Sequence, residues 1–370
     1  MYFVASKKAI IMKDYIYIFS PPQVFGGAEV YQIRLAELMD IRQKFTVISP
    51  ASLGLQSGIN KAGGCFIELN GSDGVAIRLA FVRWLWSNRK TIDQRAAAIV
   101  LNGRGAAYFA PIVKFITGMA PVIICHTELN SQRFEVKEWL FGRALRFARQ
   151  AVAVSETVAV QHNNRWPTLP IRAIPNWIDS ALYGERHISA RLNPISVDIA
   201  VIGRLAENKG IIDILAACSE ADSPTVNFYG EGPLRKTIEE IALRIPGLIV
   251  HGHVEELWQY LSHHAILLSA SYSESFSYSV AEGIYAGLLC VVSDIPAHRE
   301  LLGPAYPDEL FFSPGDQQGL RAALAAARSY LACTDGSAAD VIGMVKARMQ
   351  ARNGSDQARD DYRDVLLKAR

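Results

Sequence analysis

Apolar residues gather in short runs along this chain, separated by longer segments in which they recur every three or four positions. In the first half the runs are Tyr15–Phe19, Phe45–Ile48, Ala98–Leu101, Val122–Cys125 and Ala151–Val154. In the second half they are Val197–Ile202, Val226–Tyr229, Leu248–Val250, Ala265–Leu268 and Leu289–Val292. Most are rich in β-branched residues and apolar on consecutive positions, which suits strands covered on both faces. Between them, Tyr31, Leu35, Leu38 and Met39 share a helical face after Gly27, and Ile211, Ile214, Leu215 and Cys218 share another after Gly210. Strand, loop and helix in repetition predict parallel sheets with right-handed crossovers. The expected class is α/β, with two doubly wound domains in tandem. Residues 180–195 are polar and lack a strand pattern, so the boundary is expected there. Beyond Leu331 the pattern is that of charged helix, interrupted near 334–337 and 353–355.

Composition narrows the classes. A chain of 370 residues suits two ordinary domains. With 50% hydrophobic and 20% charged residues it can bury a large core. A net charge of +2 gives no support to a general nucleic-acid binder. The five cysteines, Cys65, Cys125, Cys218, Cys290 and Cys333, form no C-x-x-C pair. That argues against a disulfide framework and a structural zinc site, and the cysteines read as buried small hydrophobes of a reducing compartment. No apolar stretch is long enough to span a bilayer and the N-terminus does not read as a signal peptide, so a cytoplasmic location is expected.

In doubly wound sheets ligands bind beyond the carboxyl ends of the strands, so the loops after the runs carry the candidate chemistry. After the first run, Gly26-Gly27 precedes a helix, and reads equally as a tight turn or as a close approach to an anion at the helix start. It is not a G-x-G-x-x-G fingerprint, so a dinucleotide cofactor gains little support. After Val197–Ile202 come Gly203, Arg204, Lys209 and Gly210. Two cations there can neutralise a diphosphate, or are simply solvated charges. Gly230-Glu231-Gly232-Pro233 follows the next strand, either for close nucleotide approach or as a turn into a helix. The richest stretch is 271–287. Glu274 and Glu282 stand eight positions apart there, the first in the loop and the second one turn into the next helix. Both can accept hydrogen bonds from sugar hydroxyls, while the helix-start amides hold phosphate. Ser271 with Glu274, and Ser279 with Glu282, equally fit capping boxes. His126 ends its strand, and reads either as a ligand contact or as a structural histidine.

Taken together, these segments resemble the retaining glycosyltransferases of family 4, over roughly residues 15–315. The E-x7-E motif of that family is matched by Glu274 to Glu282, its Gly-Arg…Lys-Gly element by 203–210, and its Gly-x-Gly-Pro element by 230–233. Gly26-Gly27-Ala28-Glu29 and the stretch 174–179 also fit. The resemblance implies a GT-B architecture, two Rossmann-like domains facing a central cleft. Residues 1–185 would form the acceptor-binding domain, taking in part of a returning helix at 356–370, and 195–350 the donor domain. It implies that Arg204 and Lys209 hold the diphosphate of a UDP- or GDP-sugar, Glu282 the ribose, and Glu274 the sugar hydroxyls. The backbone near Gly203, Gly230, Phe276 and Ser277 would line the donor, with base contacts near His253 and Val254. Gly27 would approach the phosphate from the other domain, and His126 would stand near the donor sugar and the reaction centre. Transfer would retain anomeric configuration without a protein nucleophile. No D-x-D triplet ends a strand, so no metal ion or other cofactor is implied beyond the donor itself. Two departures are Ser277, where the family often has glycine, and Trp177, where it has a small residue.

Two first-domain segments, 81–90 and 134–149, mix aromatics with bases. They read either as helices lying peripherally on an anionic membrane, with a lipid-linked saccharide as acceptor, or as core helices with a solvated basic face. A sugar-nucleotide epimerase or other GT-B enzyme, or a non-catalytic nucleotide-sugar binder, would share the architecture.

Overall fold

The computed structural model describes residues 14–21, 27–39, 44–129, 136–169, 171–179, 198–218, 224–245, 247–254, 256–261, 263–333 and 336–367. Gly26 and the expected boundary at 180–195 lie outside the described residues. The chain divides into two compact units, Met1–Ile174 with Ala358–Arg370, and Pro175–Gln357.

The first unit is a parallel sheet of seven strands. These are β1 (Tyr15–Phe19), β2 (Phe45–Ser49), β3 (Cys65–Glu68), β4 (Ala96–Asn102), β5 (Val122–Cys125), β6 (Gln150–Ala153) and β7 (Ile171–Ala173), in the order β3-β2-β1-β4-β5-β6-β7. Ile16 stands opposite Phe45 on one side and Ala98 on the other. The chain therefore moves outward from β1 in one direction, then returns to β4 and moves outward in the other. Right-handed crossovers put the helices Gly27–Met39 and Leu53–Lys61 on one face of the sheet. The helices Gly74–Arg95, Ala110–Thr117 and Val136–Leu145 take the opposite face, where they pack side by side. The long helix Gly74–Arg95 starts at Asp73, whose carboxylate accepts from the amides of Val75 and Ala76, both at 2.8 Å. It buries Phe81, Leu85 and Ile92 at helical spacing, with Phe81 stacked on Phe19.

The helix Ser355–Leu367 joins this unit from Ala358 onward. Tyr31 hydroxyl donates to Tyr362 hydroxyl at 2.9 Å, both rings fully buried. Arg172 pairs with Asp361 and Asp364, Arg149 donates to the Val365 carbonyl, and Arg359 to that of Leu38.

The second unit holds six parallel strands: β8 (Ile199–Ile202), β9 (Val226–Tyr229), β10 (Leu248–Gly252), β11 (Ile266–Ser269), β12 (Leu289–Ser293) and β13 (Phe311–Phe312). Their order is β10-β9-β8-β11-β12-β13, the same winding as the first unit. All ten apolar runs form strands. The α/β class and the pair of doubly wound sheets are as expected. Three strands, β3, β7 and β13, went unread, and all three are sheet edges. Cys125, Cys218 and Cys290 are buried, but, contrary to expectation, Cys65 on edge strand β3 and Cys333 at a helix end are both exposed.

Candidate functional site

In the second unit β8 and β11 are neighbours, and the chain winds away from them in opposite directions. This is a topological switch point, where the loops beyond two adjacent strands diverge and leave a crevice. Four candidate segments meet around it. The β8 loop is tied to the β9 loop, with Gly203 amide donating to Tyr229 carbonyl and Leu205 amide to Glu231 carbonyl, each at 2.9 Å. The β9 loop is tied to the β10 loop, Gly230 amide to Gly252 carbonyl at 2.8 Å and His253 amide to Glu231 Oε1 at 3.2 Å. Across the switch point, Tyr272 amide donates to Asn208 carbonyl at 3.0 Å.

The glycines divide by purpose. At Gly230, φ +147°, a Cβ would stand 1.9 Å from Gly203 carbonyl oxygen. At Gly210, φ +65°, it would stand 2.1 Å from that of Ala270. These two let the loops touch backbone to backbone. At Gly203 and Gly27 an added Cβ meets nothing within 4 Å, so those backbones border open space.

Lys209 Nζ lies 2.5 Å from Glu274 Oε1, which also accepts from Ser271 Oγ at 2.8 Å. Both side chains are largely buried. Arg204 is exposed on the same loop as Lys209, and among the described residues its side chain has no ion pair. Glu282 is half-buried in the helix Tyr278–Tyr285 that opens where the Glu274 loop ends. Neither carboxylate caps a helix: Ser271 and Glu274 precede the helix, and Ser279 and Glu282 lie inside it. Phe276 is buried in the core and anchors the loop, and Val254 packs on the same core from the loop after β10. Ser277 has φ +71° and ψ +75°, a left-handed backbone of the kind that favours glycine and that a serine adopts here. Trp177 is buried, and the preceding Asn176 carbonyl accepts from Asn353 Nδ2 at 2.9 Å.

In the first unit, His126 is half-buried beyond β5. Its Nε2 stands 2.7 Å from Asn102 Oδ1, an oxygen that can only accept, so Nε2 carries the proton. Asn102 Nδ2 reaches Ser20 Oγ and Ala28 carbonyl across the β1/β4 boundary, and Gln32 Nε2 donates to the same two oxygens. Sequence reasoning missed Asn102 and Gln32. Burial pushes His126 down to about 4, and likewise His162, whose Nε2 faces the Thr127 carbonyl. Both rings are neutral at pH 7. A folded-state value below the unfolded one makes the unfolded chain the stronger proton binder between pH 6.5 and 4, so stability is full above that window and declines as pH falls through it. Histidine ring NMR should record midpoints near pH 4 for both. A midpoint near 6.5 for His126 would show that the ring is not held in a buried setting.

Residues 196–329 match the family model described as glycosyl transferases group 1. A curated relative from Bacillus subtilis strain 168, named for teichuronic acid biosynthesis as the glycosyltransferase TuaC, is 26% identical over 184 residues. That alignment spans 49% of this chain and 46% of the relative, so this chain matches less than half of the relative's length. Among solved structures, Anabaena HepE in complex with UDP-glucose superposes with a TM-score of 0.79 at 16% identity, covering 95% of this chain and 99% of that one. WaaG, a glycosyltransferase involved in lipopolysaccharide biosynthesis, gives a TM-score of 0.67 at 12% identity over 96% and 100%. The fold is that of GT-B glycosyltransferases, as the motifs implied.

Proposed function

We propose that this GT-B chain, a member of the glycosyl transferases group 1 through its second unit, moves a sugar from a UDP- or GDP-sugar to a saccharide acceptor with retention of configuration, in the assembly of a surface polysaccharide or lipopolysaccharide. The observation that carries the reading is the Lys209–Glu274 contact at the switch point, with a second cation, Arg204, exposed on the same loop. In this reading Arg204 and Lys209 neutralise the donor diphosphate and the charge it gains on leaving. Glu274 and Glu282 accept hydrogen bonds from sugar and ribose hydroxyls, and the helix start at Ser277 adds amides for phosphate. The bond from the anomeric carbon to diphosphate breaks as the acceptor oxygen bonds to the same carbon, and the acceptor's proton passes to the departing phosphate oxygen. Glu274 orients and does not attack. In the first unit, the neutral ring of His126 and the backbone of Gly27 are the remaining candidates for contacts to substrate. The donors named for HepE support a nucleotide sugar here, and TuaC and WaaG support a glycan product. Incubation with UDP- and GDP-sugars, with and without lipid extract, tests this. Acceptor-dependent transfer supports it. Sugar interconversion without an acceptor points to an epimerase instead, and binding without turnover to a non-catalytic protein.

The acceptor is proposed to be lipid-linked, because one face of the first unit suits an anionic bilayer. Three adjacent helices on one side of that sheet turn their outer faces the same way. Nine of the eighteen large apolar side chains exposed among the described residues lie on these helices and the turn after them, including Leu79, Trp86, Phe115 and Trp139. Arg78, Arg83, Lys114, Lys137 and Arg143 are interspersed, and Arg89 and Arg143 lie over the rings of Trp86 and Trp139. A merely solvated basic face does not carry this much apolar surface. No helix among the described residues is long and apolar enough to cross a membrane. The contact is therefore peripheral, with rings at headgroup level and bases against anionic lipid. Sedimentation with phosphatidylcholine vesicles, with or without phosphatidylglycerol, should show salt-sensitive binding only to the anionic ones. Trp86→Glu with Phe115→Glu should reduce it about tenfold or more. Equal sedimentation of that variant would remove the surface from consideration.

A further inference from the structure

Outside the motifs, one buried imidazole touches the loop that carries Glu274. His298 lies in the helix Pro296–Leu302 after β12 and is fully buried. Its Nδ1 stands 2.8 Å from the Ser293 carbonyl oxygen, so Nδ1 carries the ring proton and donates it. Nε2 is then a bare lone pair, and it stands 3.3 Å from Ser277 Oγ. Burial lowers the imidazole below its ordinary value, which keeps that lone pair available. The Ser277 hydroxyl thus donates to His298. Ser277 is one of two non-glycine residues with positive φ among the described residues, and it begins the helix that bears Glu282. The other end of the loop is tied to the same place, Ser293 Oγ donating to Ser271 carbonyl at 2.6 Å.

We propose that His298 is a positioning residue for the donor site, holding Ser277 in a left-handed conformation that otherwise belongs to glycine and thereby fixing both the Glu274 loop and the start of the next helix. A left-handed conformation is strained for an L-residue, and nothing in a serine alone offsets that strain. The buried hydrogen bond to His298 does so. The inference rests on 271–277 being the donor loop.

A double-mutant cycle tests it, with His298→Phe, which keeps the ring volume and removes both hydrogen bonds, and Ser277→Gly, which removes the need for the clamp. UDP and GDP binding is measured by calorimetry. His298→Phe should weaken nucleotide binding about fivefold to tenfold when residue 277 is serine, and less than about twofold when it is glycine. In parallel, amide exchange at Ala281 and Glu282, the first hydrogen-bonded turn of that helix, is followed without ligand. It should speed up about tenfold in His298→Phe and not in the glycine background. Equal losses in the two backgrounds, or no loss in either, overturn the proposal. If the parent protein binds neither nucleotide, the donor reading fails, and the exchange measurement alone decides the clamp. If His298→Phe does not fold, Ser277→Ala is compared with Ser277→Gly. Alanine keeps the strain and lacks the hydroxyl, so it should bind nucleotide at least about fivefold more weakly than glycine, and equal binding overturns the proposal.

Discussion

Lys209→Ala is expected to lower kcat/KM for sugar transfer by about 10²–10³-fold, with little change in thermal stability. Lys209 stands against Glu274 in the loop after β8, and in the proposed donor site a diphosphate would meet a cation already opposed by a carboxylate. Two opposite unit charges about 4 Å apart attract by about 4 kcal/mol at the effective dielectric of a partly exposed site. Alanine removes that attraction for the incoming phosphates. It also leaves Glu274 held by Ser271 alone, a negative charge facing another. Both effects oppose the donor, and the second is removable. Adding Glu274→Gln to the Lys209 variant should therefore recover part of the UDP or GDP affinity while transfer stays low, because the phosphate counter-charge is still missing when the leaving group departs. Calorimetric titration and steady-state transfer assays on the single and double variants check this. Unchanged nucleotide affinity in Lys209→Ala would remove the switch-point crevice as the donor site.

Gly230→Ala should destabilise the second unit by about 4 kcal/mol or more, which for a domain of this size lowers the melting temperature by roughly 8–16 °C. The added methyl would enter the carbonyl of Gly203 at 1.9 Å, and both sides of the clash are backbone. Neither can yield cheaply, since Gly203 amide is bound to Tyr229 carbonyl and Gly230 amide to Gly252 carbonyl. Gly203→Ala is the matched control. Its φ of +128° is also strained for alanine, but the space beside it is empty, so only about 1–3 kcal/mol is expected. Calorimetric melts of the two variants should rank them in that order. Equal melting temperatures would mean that the loops can separate, and that their backbone contact does not hold the site together.

How far the sequence could be read follows from where each signal originates. Central strands such as Val122–Cys125 are covered on both faces and announce themselves as unbroken apolar runs. Three of the four edge strands do not: Cys65–Glu68 is exposed at both ends, Ile171–Ala173 has three residues and Phe311–Phe312 two, too few to set a period. The meeting of Lys209 with Glu274 was legible because parallel strands bring all their carboxyl ends to one edge, whatever the sequence distance. His298 was not. It reaches Ser277 only because the chain returns through β12, and nothing in its own helix marks it. Asn102 was hidden likewise, the last residue of an apolar strand whose amide turns out to fix the proton of His126. The basic, aromatic character of two helices in the first unit was visible in composition. The contribution of Phe115 between them was not, since its own eight-residue helix carries a single lysine.

The Tyr31–Tyr362 contact has a consequence for the order in which the protein is made. The first unit needs residues from Ala358 onward, and these leave the ribosome after the whole of the second unit. Until then the cover over Tyr31 is missing, and Arg149 and Arg172 lack the acceptors that the last helix supplies. The domain translated first is thus the domain completed last. A nascent chain stalled before that helix carries a finished second unit and a first unit that still lacks its closing element.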